Sequence, residues 1–330
     1  MILAGDVGGT KTVLALFERG GDAPVECVRT RYRSAEHSSL VEMLEYFLAD
    51  HEGARVEAAC FGVAGPVVAG SFVATNLPWD PVNEASLSRT LGGAPVALLN
   101  DLQAAALGML GLGDADRVAL NPGAGPPRPG NVAVIAPGTG LGEAVLVWDG
   151  ARHLPVASEG GHGGFAPSGD EEIALLRFLC RAHGGRVSWE RVLSGPGLVN
   201  LYRFFRAQCG EAEPAALSAR LESRDPAAVI TEEGLAGRDA ACARALELFA
   251  RLAGTEAGDL ALRTLAVGGV FVGGGIAPRI RKVLEGGAFS SAFVDKGRFE
   301  PLLRRVPVFL VLDPAVALDG AARWAAGLHR

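Results

Sequence analysis

The sequence has few cysteines, and none stand in a metal-binding arrangement. Its 330 residues contain five cysteines with no C-x-x-C pair, at positions 27, 60, 180, 209 and 242. Structural zinc sites and disulfide frameworks need cysteines at short, regular spacings, so this scatter argues against both. Scattered reduced thiols predict a cytoplasmic protein. The first residues lack a basic segment followed by a long apolar stretch, so no signal peptide is predicted.

Excess basic charge and long apolar runs are also absent. The 31 basic and 37 acidic side chains give a net charge of −6, which predicts no nucleic-acid partner. The apolar runs are too short, or too often interrupted by glycine and charge, to predict a membrane span. What the sequence has is 49% hydrophobic residues and a mean hydropathy of +0.24. This content allows one large or two medium domains, each with a sizeable core.

The first third of the sequence alternates between strand-forming and helix-forming segments. A hairpin over residues 2–17 and a third strand over 26–33 precede a helix over 40–51, which Ser38 or Ser39 can cap. The remaining segments are a strand over 58–63, a helix from 81 to 91, a strand over 95–99 and a helix over 102–110. This order predicts an α/β fold with a mixed sheet flanked by helices.

The second part of the sequence follows a Pro/Gly-rich stretch, 111–131, which is the best linker candidate. Strands over 132–135 and 144–148 again enclose a glycine turn, so two similar hairpins suggest a duplicated architecture. Residues 170–265 are mostly helical, with Asp170 predicted to cap a helix that ends near His183 and Asp225-Pro226 predicted to begin another. The chain ends in a strand over 267–272, a helix from Ala277, a strand over 306–312 and a helix over 317–328.

The turn of the opening hairpin, residues 5–10, has the composition of an anion-binding turn. Its glycines let backbone N–H groups approach an anion, and Thr10 and Thr12 can add hydroxyl donors. A Walker A loop needs glycine directly before Lys-Ser/Thr and a helix afterwards, and here Lys11 follows Thr10 and a strand comes next. An ordinary tight hairpin turn explains the same residues.

Two further glycine turns end predicted strands in the second part. Residues 137–142 nearly match the dinucleotide fingerprint, but Glu143 replaces its last glycine and no helix follows, which excludes that motif. Gly273-Gly274-Gly275 stands between a strand and a helix, where it would let a flat group approach the backbone. For Gly273-Gly274-Gly275, a tight turn that binds no ligand remains the alternative.

Asn100-Asp101 follows an apolar strand and precedes a helix. In α/β sheets the carboxyl ends of strands line the ligand crevice. A carboxylate there can accept a proton from a hydroxyl nucleophile while the amide orients that nucleophile. The alternative is that Asp101 only caps the helix.

The stretch 159–164, Glu-Gly-Gly-His-Gly-Gly, keeps the backbone open around one carboxylate and one imidazole. Glu159 and His162 could bind vicinal hydroxyls of a polyol. A mobile glycine loop with solvated polar groups, or a metal pair, are the alternatives, although no other ligand stands at metal-binding spacing. Glu190 could be an acid in a first helical turn, where the helix dipole favours it.

Taken together, these stretches resemble the bacterial glucokinases of the hexokinase/actin-like ATPase superfamily. The resemblance is collinear over nearly the whole chain, and the ordered set is far more specific than any one motif. The matching stretches are GDVGGT (5–10), LLND (98–101), PGTGLG (137–142), SEGGHGGFAP (158–167), ERVLSGPGLVNLYR (190–203), GGVFVGGGIAPR (268–279) and DKGRF (295–299). The absence of cysteine from 163–172 favours this family over the related sugar kinases and repressors that carry a zinc-binding cysteine cluster there. Lys11 departs from the Asn found in many members.

The resemblance implies a fold, an activity and a partner. The fold is the two-domain actin-like ATPase (ribonuclease H-like) fold, with mixed sheets flanked by helices and the active site in the interdomain cleft. A small domain would comprise residues 1–112 plus 314–330, and a large one residues 113–313. The activity is ATP-dependent phosphorylation of the 6-hydroxyl of glucose with Mg²⁺, and the partner is a second copy in a homodimer.

The resemblance also implies roles for particular residues. Asp101 is the general base, Asn100 lies beside it on the sugar, and the remaining ring hydroxyls are held by Glu159, His162 and Glu190. Asp6 acts on Mg²⁺ through its water shell. The ATP-binding residues are Gly5, Asp6, Val7, Gly8, Gly9, Thr10, Gly138, Thr139, Gly140, Gly274 and Gly275.

Three alternative functions are compatible with parts of this pattern. The first is a kinase for another hexose, such as mannose, fructose or N-acetylglucosamine. The second is a sugar-sensing regulator, which usually adds a DNA-binding segment before the kinase fold, whereas here the fold begins at Ile2. The third is an actin- or chaperone-like ATPase, which would lack the Glu-Gly-Gly-His stretch.

Overall fold

The protein is described here by a computed structural model covering residues 1–21, 23–74, 77–210, 212–313 and 315–328. Positions 314, 329 and 330, which belong to the predicted small domain, lie outside the described residues. The chain forms two compact units. The first contains Met1–Gly113, Pro155–Ala157 and Asp313–Arg330, and the second contains Asp114–Leu154 and Ser158–Leu312.

The first unit is built on a five-stranded mixed sheet with the order β3-β2-β1-β4-β8. The antiparallel hairpin β1–β2 is extended by β3, while β4 and β8 run parallel to β1. The bounds of these strands are Ile2–Val7 (β1), Lys11–Glu18 (β2), Val25–Arg33 (β3), Ala58–Val63 (β4) and Val96–Asn100 (β8). A small antiparallel sheet contains Val67–Val68 (β5), Ser71–Phe72 (β6) and Val82–Asn83 (β7). The predicted hairpin, the third strand and the strands predicted over 58–63 and 95–99 are confirmed.

Among the described residues of this unit there are four α-helices, and three of them begin at a side-chain cap. Their bounds are Leu40–Asp50 (α1), Glu84–Thr90 (α2), Asp101–Met109 (α3) and Val316–Ala326 (α12). Ser39 caps α1 by accepting a hydrogen bond from the Glu42 amide, as predicted. One core cluster lies around Leu3, Phe47 and Phe61. The helix α12 packs against α3 and β1, so the end of the chain completes the unit that its beginning starts.

The predicted start of α2 is wrong. The helix begins at Glu84 rather than near Pro81, because Asn83 and Ser86 form a reciprocal capping box at its first turn. Val82 and Asn83 pair with β6 before the helix begins. Side-chain capping therefore fixes the boundary more strongly than the proline does.

The second unit is built on a six-stranded sheet with the order β12-β11-β10-β13-β14-β9. Its hairpin β10–β11 is antiparallel, and β13 and β14 follow in parallel on the other side of β10. The bounds are Arg117–Ala119 (β9), Val132–Pro137 (β10), Leu141–Trp148 (β11), His153–Val156 (β12), Gly269–Val272 (β13) and Val308–Val311 (β14). The predicted second hairpin is confirmed. The predicted linker 111–131 is only partly irregular, because β9 pairs with β14 at the sheet edge.

Helices make up most of the rest of this unit. Their bounds are Asp170–His183 (α4), Gly195–Cys209 (α5), Ala215–Ser223 (α6), Pro226–Leu235 (α7), Ala240–Thr264 (α8), Arg281–Glu285 (α9), Ala288–Val294 (α10) and Glu300–Leu303 (α11). Short 3₁₀ helices in the two units are Ser34–Glu36, Pro122–Ala124, Gly160–His162, Trp189–Arg191, Ala277–Ile280 and Gly297–Phe299. No helix in the described ranges has the length and apolarity needed to cross a membrane.

The caps of these helices follow the predictions in one case and depart from them in another. Asp225 accepts a hydrogen bond from the Ala227 amide and Pro226 opens α7, as predicted. The helix α4 instead has Gly169 at its N-cap, and Asp170 is its first residue. Asp170 therefore contributes its charge to the first turn rather than capping the helix.

Candidate active site

The strand β8 and helix α3 meet at Asn100 and Asp101. Asn100 is the N-cap: its side-chain oxygen accepts from the Leu102 amide at 2.9 Å, and Gln103 accepts from the Asn100 amide at 2.9 Å. The Asn100 amide group also donates to the Gly65 carbonyl at 3.1 Å, which ties the end of β8 to the segment after β4. The alternative in which Asp101 caps the helix is therefore wrong.

Asp101 is the first residue of α3, and it is exposed. One of its carboxylate oxygens accepts from the Leu102 amide at 2.8 Å. That bond orients the carboxylate at the carboxyl end of β8, and the helix N-terminus stabilises its charge. An exposed, oriented carboxylate at this end of a parallel strand can accept a proton from a bound hydroxyl.

The first glycine turn joins β1 to β2. Gly5, Asp6 and Val7 lie within β1, and the turn itself is Gly8, Gly9 and Thr10. The Gly8 amide donates to the Lys11 carbonyl at 2.9 Å, and the Ser34 hydroxyl donates to the Gly8 carbonyl at 2.6 Å. Ser34 therefore holds this turn from the adjoining 3₁₀ helix.

The two threonines that follow this turn have different surroundings. Thr10 is exposed. Thr12 is fully buried, and its hydroxyl lies 3.0 Å from that of Ser34. Thr12 therefore supports the turn from inside, and its predicted contribution as a hydroxyl donor to an anion is wrong.

Asp6 is the acid of this turn, and it is partly buried. Burial raises the pKa of its carboxyl group, and the nearby Lys11 partly offsets the rise. Within the described residues its carboxylate makes no hydrogen bond or ion pair, and no group of three or more His, Cys, Asp or Glu forms a metal cluster. A single desolvated carboxylate fits a Mg²⁺ ion whose other ligands are water and phosphate oxygens.

The second glycine turn joins β10 to β11. The Gly138 amide donates to the Gly140 carbonyl at 2.8 Å, and the Gly195 amide, at the start of α5, donates to the Gly138 carbonyl at 2.8 Å. Glu190 accepts from the Leu141 amide at 3.1 Å. This turn is therefore held from the segment 190–195 by one helix start and one carboxylate.

A cavity of about 740 Å³ lies beside the second turn, within the second unit. Gly138, Thr139 and Gly275 line it together with the first residues of α5 and α7. Three arginines also line it: Arg191, Arg203 and Arg279. A cavity of this size, with backbone turns and arginines in its wall, suits a nucleotide polyphosphate. Gly140 and Gly274 are not among the lining residues.

Gly274 has a different role in the same region. Its φ is +78°, and a Cβ there would lie 2.3 Å from the Pro137 carbonyl oxygen. Only glycine fits this position. The Ile276 amide donates to the same carbonyl at 3.3 Å, so the segment after β13 lies directly against the end of β10.

The stretch predicted to hold a polyol also lies in the second unit. Glu159 precedes the 3₁₀ helix Gly160–His162, and its carboxylate lies 4.0 Å from the His162 imidazole. Both side chains are exposed. Arg186 donates a hydrogen bond to the His162 carbonyl, and the Trp189 amide donates to the Gly163 carbonyl at 2.9 Å.

We call residues 159–164 the sugar loop. Leu141 connects this loop to Glu190. A Cβ on Gly161 would lie 2.1 Å from the Leu141 carbonyl oxygen, so the loop rests on this residue. The Leu141 amide donates to Glu190. Leu141, at the start of β11, thus contacts both the loop that carries Glu159 and His162 and the side chain of Glu190.

Sequence reasoning missed the cavity arginines and the residue below the sugar loop. Arg191, Arg203 and Arg279 stand inside the stretches 190–203 and 268–279, but their residue type alone did not distinguish them from solvated surface charge. In the sequence, Glu143 is only a mismatch to the dinucleotide fingerprint. In the structure it is buried against Gly160.

The fold is that of the sugar kinases with the actin-like ATPase architecture. A crystal structure of glucokinase from an Antarctic psychrotroph superposes with a TM-score of 0.88 at 32% identity, over 98% of each chain. A ROK family glucokinase from Streptomyces griseus, solved with glucose and AMPPNP, has a TM-score of 0.61 at 22% identity, over 98% of this chain and 99% of that one. At 22% identity, the similarity to the Streptomyces griseus structure shows only that the two proteins share a fold.

Sequence comparison gives the family within this class. A glucokinase of Synechocystis sp. is 40% identical over 348 residues, covering 98% of this chain and 97% of the relative. A family profile described as Glucokinase matches residues 3–328. The chain belongs to the glucokinase family, and it is an enzyme that phosphorylates glucose.

Proposed function

We propose that the protein transfers the γ-phosphoryl group of ATP to the 6-hydroxyl of glucose, with Asp101 as the general base. The observation that carries the proposal is the glucokinase family match over residues 3–328. The oriented carboxylate of Asp101 and the cavity beside the second turn are consistent with it.

The chemical step needs one proton acceptor. As the 6-hydroxyl oxygen attacks the γ-phosphorus, the bond from that phosphorus to the bridging oxygen breaks, ADP leaves, and the hydroxyl proton passes to Asp101. Phosphoryl transfer depends more on in-line positioning and charge neutralisation than on covalent catalysis. The hydrogen bond from Leu102 holds Asp101 in one orientation for this proton transfer.

The sugar is held by fixed acceptors. We assign Asn100, beside Asp101, to the sugar, and Glu159, His162 and Glu190 to the other ring hydroxyls. A buried acceptor that loses its matching hydroxyl is left unpaired, which disfavours the wrong epimer. Glu190 also anchors the second turn through Leu141, so sugar and nucleotide binding meet at one residue.

ATP is assigned to both turns. In the second unit, Gly138, Thr139 and Gly140 would receive phosphates, with Gly275 in the cavity wall and Gly274 keeping that wall in contact with Pro137. In the first unit, the segment from Gly5 to Thr10 would hold the phosphates, with the turn N–H groups of Gly9 and Thr10 donating to phosphate oxygens. The cavity arginines add positive charge.

Mg²⁺ is the metal that this chemistry uses, and Asp6 is the residue that would hold it, through water. When bound, the ion neutralises charge on the phosphates. Burial supports this assignment, and so does the absence, within the described residues, of a hydrogen bond or ion pair to the Asp6 carboxylate.

The cellular setting is also a proposal. The family resemblance supports a homodimer, the scattered thiols support a cytoplasmic location, and phosphorylation of glucose supports a place in glycolysis. Gel filtration with light scattering tests the first of these.

A sugar panel tests the proposed substrate. The wild-type protein with ATP and Mg²⁺ is given glucose, mannose, fructose and N-acetylglucosamine, with coupled detection of ADP. We expect the highest kcat/KM with glucose and almost no turnover in Asp101→Asn. Equal or better rates with another hexose would refute the glucose assignment, and sugar binding without ADP release would favour a regulator.

The variant Glu159→Gln tests the proposed sugar contacts. We expect it to raise KM for glucose and to leave KM for ATP unchanged. An effect confined to ATP would refute the role of Glu159.

A further inference from the structure

Two glutamates are buried together in the second unit, outside every role assigned above. Glu143 lies in β11 and is 2% exposed, and Glu256 lies in the middle of α8 and is 0% exposed. Burying one carboxylate is costly, and burying two side by side is more so unless charge is neutralised. Their placement therefore needs an explanation.

The pair is neutralised by one arginine and one proton. Arg263 donates a hydrogen bond to Glu256 Oε1. Within the described residues, Glu143 Oε1 and Glu256 Oε2 accept no hydrogen bond from an N–H or O–H donor, yet the two carboxyl groups lie within hydrogen-bonding reach of each other. One of them must then carry a proton that the other accepts. Burial, followed by repulsion from Glu143, raises the pKa of Glu256 to about 8.

The other oxygen of Glu143 faces the sugar loop. A Cβ on Gly160 would lie 2.1 Å from Glu143 Oε2 and 3.0 Å from its Cδ. Gly160 stands between Glu159 and His162, the two side chains of the loop that are assigned to the sugar. The Ser158 hydroxyl accepts from the Gly160 amide at 3.0 Å, and it is the other neighbour on this side.

We propose that Glu143 is a positioning residue for sugar binding. Its contact with Gly160 fixes the position of the sugar loop relative to β11, and Glu256 in turn holds the Glu143 side chain in place. The proposal rests on the proposed role of Glu159 and His162. It does not require Glu143 to touch glucose.

Apolar residues could fill the same space. Replacing a buried ionic cluster by well-packed apolar residues is often neutral or stabilising. A hydrogen-bonded acid pair, however, holds a side chain in one orientation more strictly than packing does, because its bonds are directional. A loop that must present two side chains at a fixed spacing would benefit from such a support.

A double-mutant cycle tests this contact. Glu143→Ala removes the support, and Gly160→Ala pushes against it, so each alone should raise KM for glucose about ten-fold while KM for ATP stays within about two-fold. In the double variant the added methyl occupies the space that Glu143 leaves, so the increase should be much less than the product of the two. Glu143→Gln keeps the shape and donates to Glu256 through its amide, and it should restore near wild-type KM.

The outcomes separate this inference from the proposed function. If the wild type phosphorylates no sugar, the proposed function fails. If the wild type is active but Glu143→Ala leaves KM for glucose unchanged, or the two single effects multiply in the double variant, the positioning role is refuted. If Glu143→Ala does not fold, the variants Glu143→Gln and Gly160→Ala still test the positioning role. Equal increases in KM for glucose and for ATP in Gly160→Ala would refute that role.

Discussion

The two glycine turns share a strand–turn–strand pattern, yet they are held differently and face different spaces. The first is closed by the Ser34 hydroxyl and borders a hollow of about 20 Å³ lined by Val7, Gly8 and Gly9 among others. The second is held by Gly195 and Glu190 and borders the cavity of about 740 Å³. The pattern thus determines the turn, and the surrounding elements determine what it can bind.

The two units also differ in the functional side chains that they carry. The first unit carries the partly buried carboxylate of Asp6 and the exposed one of Asp101. The second carries the cavity arginines and the sugar loop. We therefore expect loss of the carboxylate of Asp101, in the first unit, to affect turnover, and changes in the sugar loop, in the second, to affect binding.

Asp101→Asn should have the largest effect and is the strongest test of this division. Removing the proton acceptor should lower kcat about a thousand-fold. The affinity for glucose should change little, because the amide keeps the shape and the bond to Leu102. Steady-state kinetics and calorimetric glucose binding measure the two quantities. If the variant instead loses glucose binding but keeps the same turnover per bound sugar, the assignment of Asp101 as the general base is refuted.

Gly274→Ala tests the support of the second turn. The methyl group would meet the Pro137 carbonyl, and the positive φ would be strained, so we expect a loss of about 2–3 kcal/mol in the free energy of unfolding. Gly275→Ala is the matched control, because a Cβ there meets nothing within 4 Å. Urea denaturation measures both variants, and equal stability would show that the second turn does not depend on this contact.

The acid pair below the second hairpin predicts a pH dependence of stability. Because the pKa of Glu256 is raised to about 8 in the folded state, the folded protein holds a proton that the unfolded chain releases near pH 4.5. The free energy of unfolding should therefore fall by about 2 kcal/mol as the pH rises from about 6.5 to about 9, relative to Glu256→Gln. Parallel curves for the two proteins between these pH values would refute the shared proton.

Ser34→Ala should have the smallest effect, and it concerns the first turn alone. The variant loses the hydroxyl bonds to Gly8 and Thr12, which should cost about 1 kcal/mol of stability. Ser194→Ala is the counterpart in the second unit, where the hydroxyl donates to the Glu190 carbonyl at 2.7 Å. We expect only Ser194→Ala to raise KM for glucose. A rise in Ser34→Ala would show that the turns are not independent.

Local signals in the sequence predicted much of the fold. Both hairpins, the Ser39 cap and the Asp225-Pro226 start depend on residues close in sequence, and each is confirmed. Asn83 caps α2, which begins at Glu84 rather than near Pro81, because the reciprocal hydrogen bonds of the capping box compete successfully with a proline's preference. Such competition is decided by side-chain geometry that the sequence does not display.

Contacts between distant segments explain what could not be predicted. β9 appeared to be part of a linker, since its partner β14 stands nearly two hundred residues later. Glu143 appeared to be a motif mismatch, because neither Glu256 nor Gly160 is near it in sequence. The residues of the proposed site stand in ordered motifs that the sequence displays, whereas the contacts that support them join segments distant in sequence and are seen only in three dimensions.

The return of the chain to its first unit has a consequence for biosynthesis. The strands β1 to β8 leave the ribosome before the second unit, whereas α12, which packs on α3 and β1, leaves it after the second unit. The nascent first unit must therefore wait, with one apolar face open, while the whole second unit is translated. A chain that stalls before residue 316 lacks α12, so the sides of α3 and β1 on which this helix packs stay exposed to solvent.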